Sequence, residues 1–350
     1  MTSPPTRPDL RRYARQTVLP AIGEEGQLAL AAARVLIVGC GALGTHIADT
    51  LARAGVGLLR LVDRDFVELH NLQRQILFDE YDLTQGVPKA LAAAAKLRRI
   101  NSTITIEPIV DDASAANIAA LLTDIDLIVD GTDNFETRYL LNDAAMRANL
   151  PWVYGGVLAT YGMTLTIVPG ETACLRCLFP DPPPPGAAPT CDTAGVLAPA
   201  VALIAAIQAS EALKLLVGAR EAINRELLAI DVWRLTVDRL PAVRQADCPA
   251  CGDGPRHHPF LDLAAASRTV ALCGRNAVQI TINPPAALSL PDLAARLRAA
   301  GAVRHNDHLL RFAPSDSAHE LVIFPNGRSI IHGTDEPAIA KGLYARYIGL

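Results

Sequence analysis

Residues 34–44 read R-V-L-I-V-G-C-G-A-L-G, and this stretch decides the fold. The β-branched and aliphatic run at 34–39 predicts a buried strand, and residues 42–54 read as a helix. Between them, Gly39, Gly41 and Gly44 have G-x-G-x-x-G spacing. Glycines at such a junction let the backbone approach a phosphate, and the helix N-terminus offers free N–H groups. The stretch therefore predicts a phosphate-binding loop.

The flanking sequence repeats the alternation of strand and helix. Residues 58–63, 103–109 and 127–130 read as strands, and residues 88–100 read as an alanine-rich helix. Because these strands are apolar without alternation, they predict a doubly wound, Rossmann-like, mostly parallel sheet covered on both faces. Asp63 lies 19 residues after Gly44 at a strand end, where it would accept hydrogen bonds from a ribose. A glycine turn without a ligand and an NAD-dependent oxidoreductase remain alternatives.

The chain divides by composition into three parts. Residues 1–33 predict an N-terminal helical arm, and residues 34–254 predict the nucleotide domain, with its last strand at residues 226–232. Residues 255–350 predict a small α+β module. The D-P-P-P-P-G-A-A-P run that ends at Pro189 predicts an exposed loop. In the module, 269–273 and 277–282 predict strands, and Asn326-Gly327 predicts the turn of a hairpin.

Composition narrows the range of partners. Of 350 residues, 50% are hydrophobic and 19% charged, with a net charge of −4, which argues against nucleic acid. The N-terminus lacks the apolar core of a signal peptide. The longest apolar stretch, 194–209, is too short to span a bilayer and contains Pro199, so we expect a cytoplasmic protein that does not bind membranes.

Polar residues follow the predicted strands where doubly wound sheets bind ligands. Asn71, Gln73 and Arg74 form a polar cluster within the motif N-L-Q-R-Q. Lys89 begins a helix, and Asp133-Asn134 follow the strand at 127–130. A dehydrogenase needs one or two phosphate contacts, whereas a triphosphate needs several cations and a carboxylate that holds Mg²⁺. This set of residues therefore favours ATP.

Four of the seven cysteines form two C-x-x-C pairs, Cys174/Cys177 and Cys248/Cys251. Two such pairs supply a tetrahedral S₄ set for Zn²⁺. Because four protein ligands leave no open position, we expect a structural zinc site. A thioredoxin-like redox pair and two disulfides are the competing interpretations.

These motifs together resemble the ThiF/MoeB family of ubiquitin-activating-enzyme-like adenylyltransferases. They occur in the order R-Y-x-R-Q, G-x-G-x-L-G, D-x-D, N-L-Q-R-Q, P-K, D-x-T-D-N and two C-x-x-C pairs, over residues 12–252. The resemblance implies a set of nucleotide-binding residues: Gly39, Gly41, Ala42, Gly44, Asp63, Asp65, His70, Asn71, Leu72, Gln73, Arg74, Lys89, Asp133 and Asn134. Among them, Asn71, Arg74 and Lys89 would bind the phosphates, and Asp133 would organise Mg²⁺. Arg74, Lys89 and Asp133 would act in catalysis.

The resemblance also implies function and partners. The expected reaction is ATP-dependent adenylation of the C-terminal glycine of a ThiS- or MoaD-like ubiquitin-like sulfur carrier. Arg15 would reach the ATP of a neighbouring subunit, which implies a homodimer. A cysteine desulfurase or another sulfur donor is a further candidate partner. An NAD-dependent oxidoreductase and a non-catalytic nucleotide-binding scaffold are the rival functions.

Two features lie outside this core. Cys191, just before an apolar helix, is a candidate nucleophile for a covalent carrier adduct, with an idle loop cysteine as the alternative. The C-terminal module resembles the extension of some bacterial ThiF-like proteins. We expect it to dock a carrier or another partner, and support of the dimer or of stability is the alternative. Its one cysteine, Cys273, precedes a strand rather than a helix, which argues against a rhodanese.

Overall fold

The structure is a computed structural model that describes residues 9–183, 191–262, 268–272, 276–282 and 287–349. These residues form two compact units. The first contains residues 9–183 and 194–262, and the second contains residues 268–349 together with 191–193. Cys273 and residues 184–189 of the proline-rich run lie outside the described residues.

The first unit alternates strands and helices. Its strands are β1 (Arg34–Val38), β2 (Leu58–Val62), β3 (Thr105–Ile109), β4 (Leu127–Asp130), β5 (Trp152–Leu158), β6 (Tyr161–Ile167), β7 (Leu227–Asp231) and β8 (Thr236–Leu240). Its helices are α1 (Ala14–Thr17), α2 (Gly23–Ala32), α3 (Ala42–Ala54), α4 (Glu80–Gln85), α5 (Lys89–Ile100), α6 (Ile118–Leu121), α7 (Phe135–Ala148), α8 (Leu175–Leu178), α10 (Ala198–Leu216) and α11 (Pro259–Asp262). The short helix α9 (Cys191–Ala194) is divided between the units, because residues 191–193 belong to the second and Ala194 to the first. Short 3₁₀ turns span Leu10–Tyr13, Leu69–Asn71 and Arg220–Ala222.

All eight strands form one sheet in the order β3-β2-β1-β4-β5-β6-β7-β8. The first five are parallel, and the last three are antiparallel. The predicted doubly wound, mostly parallel sheet is therefore confirmed. The prediction that the strand at residues 226–232 is the last of this domain is wrong, because β8 follows it as the edge strand of the sheet. The β8 side chains are all exposed, so its sequence does not carry the apolar pattern of a buried strand.

The apolar stretch predicted at residues 194–209 extends into the 19-residue helix α10, which is long and apolar enough to cross a membrane by length and composition alone. The prediction that this stretch is too short to span a bilayer is therefore wrong. The helix packs instead into the apolar core of the sheet, which includes Val201, Ile204 and Ala205. Two buried polar side chains on this helix bond to the sheet. Gln208 Nε2 donates to the Asp130 carbonyl at 2.9 Å, and Glu211 accepts from the Thr166 hydroxyl at 2.8 Å. These contacts identify α10 as a core helix.

The second unit is an antiparallel sheet with two helices. Its strands are β9 (Arg268–Leu272), β10 (Ala277–Thr281), β11 (Gly301–His305), β12 (Leu310–Pro314), β13 (Glu320–Ile323) and β14 (Ser329–His332), and its helices are α12 (Leu290–Leu297) and α13 (Pro337–Tyr347). The separate α+β module is confirmed. Its hairpin does not turn on Asn326 and Gly327 alone, since Phe324 N donates to the Arg328 carbonyl across a three-residue turn. Gly327 takes the left-handed conformation there, with φ 82°.

Candidate functional site

The site lies at the carboxyl ends of the parallel strands. The chain leaves β1 for β2 and β3 on one side and returns to β4 on the other, so the order of the strands reverses between β1 and β4. Doubly wound sheets bind ligands in the crevice at this switch point. The predicted site segments that follow β1, β2 and β4 therefore meet at one edge of the sheet.

Tight packing explains two glycines of the loop after β1. Gly39 has φ 92°, and a Cβ there would lie 2.5 Å from the Gly131 carbonyl oxygen. A Cβ on Gly44 would lie 1.8 Å from the Gly39 carbonyl oxygen. Gly41 differs, because its nearest neighbours would be 3.9 Å away. This open side of Gly41, at the N-terminus of α3, is where a phosphate has room to approach the backbone.

The carboxylate of Asp63 is oriented by two backbone donors. Cys40 N donates to its Oδ2 at 2.6 Å, and Asp65 N donates to its Oδ1 at 2.7 Å. Burial raises the pKa of Asp63, and the nearby Lys89 opposes that shift. Each oxygen keeps lone-pair capacity beyond these bonds, so the carboxylate is suited to accept ribose hydroxyls.

Lys89 is buried beside this carboxylate group at the start of α5. Its backbone N donates to the Asp65 carbonyl at 2.8 Å, and its Nζ lies 3.5 Å from Asp65 Oδ2. A lysine is rarely buried unless its charge is paired. The structure therefore places the Lys89 ammonium group in the interior near the glycine loop, rather than on a solvated face.

The N-L-Q-R-Q segment begins in the short 3₁₀ turn Leu69–Asn71 and continues as a hydrogen-bonded turn, in which Arg74 N and Gln75 N both donate to the Asn71 carbonyl. Asn71 is buried, and its Oδ1 accepts from Glu68 N at 3.1 Å, which fixes the turn. Arg74 Nη1 donates to the His70 carbonyl at 2.7 Å. His70 and Gln73 are exposed, and Leu72 is half-buried against the core. These hydrogen bonds therefore orient Asn71 and Arg74 among the residues predicted in this segment.

The segment after β4 is anchored by a buried ion pair. Arg138 Nε lies 3.3 Å from Asp130 Oδ2, and its Nη2 donates to the Thr132 carbonyl at 2.8 Å. Burial raises the pKa of Asp130, and the Arg138 charge opposes that shift. Asn134 caps α7 by accepting from Thr137 N at 2.8 Å. These bonds present Asp133, which is exposed, at the edge of the site.

For two residues that are predicted to be catalytic, the structure describes no contact that positions them at the carboxyl ends of the parallel strands. Arg15 is exposed on α1. Cys191 begins α9, and its side chain lies outside what the structure describes. Their roles remain predictions.

Sequence reasoning missed several residues that organise the site. Arg64 bridges strand ends, with Nη1 2.6 Å from Asp112 Oδ2 and Nε 3.6 Å from Asp65 Oδ1. Arg138 and Gln75 are two further examples. Arg64 lies inside the D-x-D motif and Gln75 inside N-L-Q-R-Q. Their positions within these motifs are the sequence signal that could have identified them. Arg138 lies eight positions after Asp130 on the next helix, and no local pattern marks it.

The two C-x-x-C pairs meet, although 70 residues separate them. All four sulfurs lie within 4.8 Å of one another, with Cys174–Cys177 at 3.8 Å, Cys174–Cys248 at 3.6 Å and Cys177–Cys251 at 3.3 Å. These thiols are free rather than disulfide-bonded. Sulfurs of a tetrahedral zinc site with Zn–S bonds of about 2.3 Å lie roughly 3.8 Å apart. The cluster therefore fits a four-coordinate metal.

The fold and its two sites define the class of the protein. It is an α/β protein with a glycine-rich loop at the point where the strand order reverses, and with a separate four-cysteine cluster. Residues 13–250 match the ThiF family. The chain is 43% identical to the sulfur carrier protein ThiS adenylyltransferase of Bacillus subtilis, over 97% of this chain and 99% of the relative. It is 41% identical to the SAMP-activating enzyme E1 of Haloferax volcanii, over 70% and 90% of the two chains. The protein belongs to the ThiF family, and the resemblance of its motifs is confirmed.

Solved structures agree with this placement. A crystal structure of E. coli MccB with ATP is similar with a TM-score of 0.60 and 25% identity, and the match covers 69% of this chain and 75% of that one. The alignment to the Bacillus relative covers nearly the whole chain, so that protein also has the C-terminal module.

Proposed function

We propose that this protein uses ATP to adenylate the C-terminal glycine carboxylate of a ubiquitin-like sulfur carrier. The observation that carries the proposal is the convergence at one sheet edge of an open glycine loop, an oriented Asp63, a buried Lys89 and an exposed Asp133. The relatives named as carrier adenylyltransferases support the choice of substrate.

The chemistry requires no general base, because the attacking carboxylate is ionised near pH 7. A bond forms between its oxygen and the α-phosphorus of ATP. The bond from the α-phosphorus to the β-phosphate oxygen breaks, and the electron pair leaves with pyrophosphate. The protein must therefore align the reactants and neutralise charge on the phosphates. Arg74 and Lys89 would supply that charge, and Asp63 would hold the ribose.

Two metal ions belong to this proposal. Asp133, whose carboxylate is exposed at the site, would hold Mg²⁺, and hard oxygen ligands suit that ion. The four-cysteine cluster would hold Zn²⁺, which joins the chain after β6 to the chain after β8. When bound, Mg²⁺ would offset negative charge on the leaving pyrophosphate.

We further propose a homodimer in which Arg15 of one subunit reaches the ATP of the other. Val18 and Leu19, directly after α1, are 71% and 51% exposed. Exposed apolar side chains beside a predicted catalytic arginine support a protein contact at this arm. The cytoplasmic location, the sulfur donor and the covalent role of Cys191 also remain proposals.

The proposed activity is tested by ATP–pyrophosphate exchange. We expect exchange only when a Gly-Gly-terminated carrier is present, because the carrier carboxylate is the nucleophile. ThiS-like and MoaD-like carriers assayed in parallel identify the preferred substrate, and a carrier that lacks its last glycine is the control. ATP binding without exchange for either carrier would favour the scaffold, and an absorbance change with nicotinamide dinucleotide would favour the oxidoreductase.

An apolar hairpin tip at the same end of the sheet as the site is a candidate docking surface for the carrier. The register pairs Leu158 with Tyr161 and Tyr161 with Asp231, so the turn between β7 and β8 lies at the same sheet edge as the glycine loop. Trp233 and Leu235 in that turn are 76% and 85% exposed. Asp231 Oδ1 accepts from Trp233 N at 2.9 Å, which holds the turn in one conformation. An ordered apolar protrusion of this kind is typical of a protein interface.

Replacing Trp233 by alanine is expected to raise the KM for the carrier about tenfold, because an aromatic anchor is lost. The Kd for ATP should not change, since the nucleotide binds at the carboxyl ends of other strands. Tyr81→Ala, which removes an aromatic residue that is 68% exposed on α4, is the matched control. An unchanged carrier KM, or a loss of dimer in sedimentation instead, would remove the docking assignment.

A further inference from the structure

The segment 71–75 contains a buried amide that the proposed reaction has not used. Gln75 is 3% exposed, and its backbone N donates to the Asn71 carbonyl at 3.0 Å. Leu77 and Phe78, which follow it, are buried in the core of the first unit. The backbone of Gln75 is therefore fixed by contacts of the residues before and after it. Its side chain points into the fold and away from solvent.

The Gln75 carboxamide lies over the open side of the glycine loop. Its Nε2 is 3.9 Å from the position that a Cβ on Gly41 would occupy. The missing side chain of the second glycine in such a loop is what allows a phosphate to approach the backbone. A phosphate that enters this space would therefore lie within reach of the Gln75 amide.

The oxygen of the same carboxamide is incompletely satisfied. Gln75 Oε1 is buried and has no hydrogen-bond partner among the residues that the structure describes. Buried polar atoms in folded proteins are rarely left in this state unless a ligand or water completes them. Either orientation of the amide presents one donor and one acceptor, so the group can bond to a phosphate oxygen and to a water of the nucleotide's hydration shell.

We propose that Gln75 is a further nucleotide-binding residue, whose Nε2–H donates to a phosphate oxygen of ATP above Gly41 while its Oε1 accepts from water bound to the same phosphates. This inference rests on the proposed function only for the identity of the nucleotide. A structural role for Gln75 makes a different prediction, because a side chain that stabilised the unliganded fold would already have its hydrogen bonds.

The test compares Gln75→Met and Gln75→Glu with the wild type in the full-length protein. Methionine has a similar length and no amide, so we expect the Kd for the non-hydrolysable analogue AMPCPP, measured by calorimetry, to rise about tenfold. Glutamate keeps an acceptor and adds an anionic oxygen beside the phosphates, so its effect should be larger, about 100-fold. Gln85→Met, an exposed amide on α4, should bind AMPCPP like the wild type.

The Tm without nucleotide separates binding from structure. Gln75→Met should keep or raise that Tm, because it removes a buried acceptor without a partner, while the increase in Tm caused by AMPCPP shrinks. Unchanged AMPCPP affinity in both variants, or a fall in the nucleotide-free Tm with a normal nucleotide-induced increase, would overturn the proposal. Wild-type binding without carrier-dependent exchange would reject adenylation, yet the effects of the two variants would still decide the role of Gln75. A wild type that binds no AMPCPP would reject both.

Discussion

Asp133→Ala is expected to lower carrier-dependent ATP–pyrophosphate exchange by at least about 100-fold, because the site loses the carboxylate proposed to hold Mg²⁺. The fold should persist, since Asp133 is exposed and the segment is anchored by the Asp130–Arg138 pair. Arg74→Ala should have a comparable effect through the loss of a phosphate-binding cation. Exchange rates at several Mg²⁺ concentrations measure the change, and circular dichroism checks the fold.

The matched control for Asp133 is Asp124→Ala. Asp124 is also exposed, but it precedes β4, at the opposite edge of the same sheet. Its loss should leave exchange near the wild-type rate. Near-normal exchange in both Asp133→Ala and Arg74→Ala would reject the assignment of this edge as the adenylation site.

Cys251→Ser is expected to remove zinc and to lower the Tm by about 10 °C or more. A structural zinc contributes its binding free energy to folding, and this cluster joins two chain segments within the second core of the first unit. Metal analysis of freshly purified protein should find one zinc per chain in the wild type. Differential scanning calorimetry then measures the loss in the variant.

Cys273→Ser is the control for this second prediction, because four thiols already complete a tetrahedral set without it. It should retain zinc. Less than about half a zinc per chain in the wild type would contradict a structural zinc site. Retention of zinc by Cys251→Ser would show that the cluster does not need all four sulfurs.

Local patterns were sufficient for most of the first unit. The helix predicted at residues 42–54 and the strand at 127–130 match α3 and β4 residue for residue. Apolar runs between glycines and helical repeats are short-range signals, so the covalent chain expresses them directly. The edge strand β8 was missed because an exposed strand carries no apolar period, and its place follows from pairing with β7.

Local sequence was enough to identify the residues of the site: a glycine loop after the first strand, an aspartate after the second, the residues of N-L-Q-R-Q and the four cysteines. Each of these can be recognised in the sequence because its chemistry depends on neighbours a few positions away. Only the tertiary structure decided which distant groups meet, as when Arg64 reaches Asp112 and the cysteine pairs close on one another. Within the part of the chain that the structure describes, it also leaves Gln75 Oε1 beside Gly41 without a hydrogen-bond partner. Burial and long-range contact depend on how whole elements pack, and no short segment of sequence contains that information.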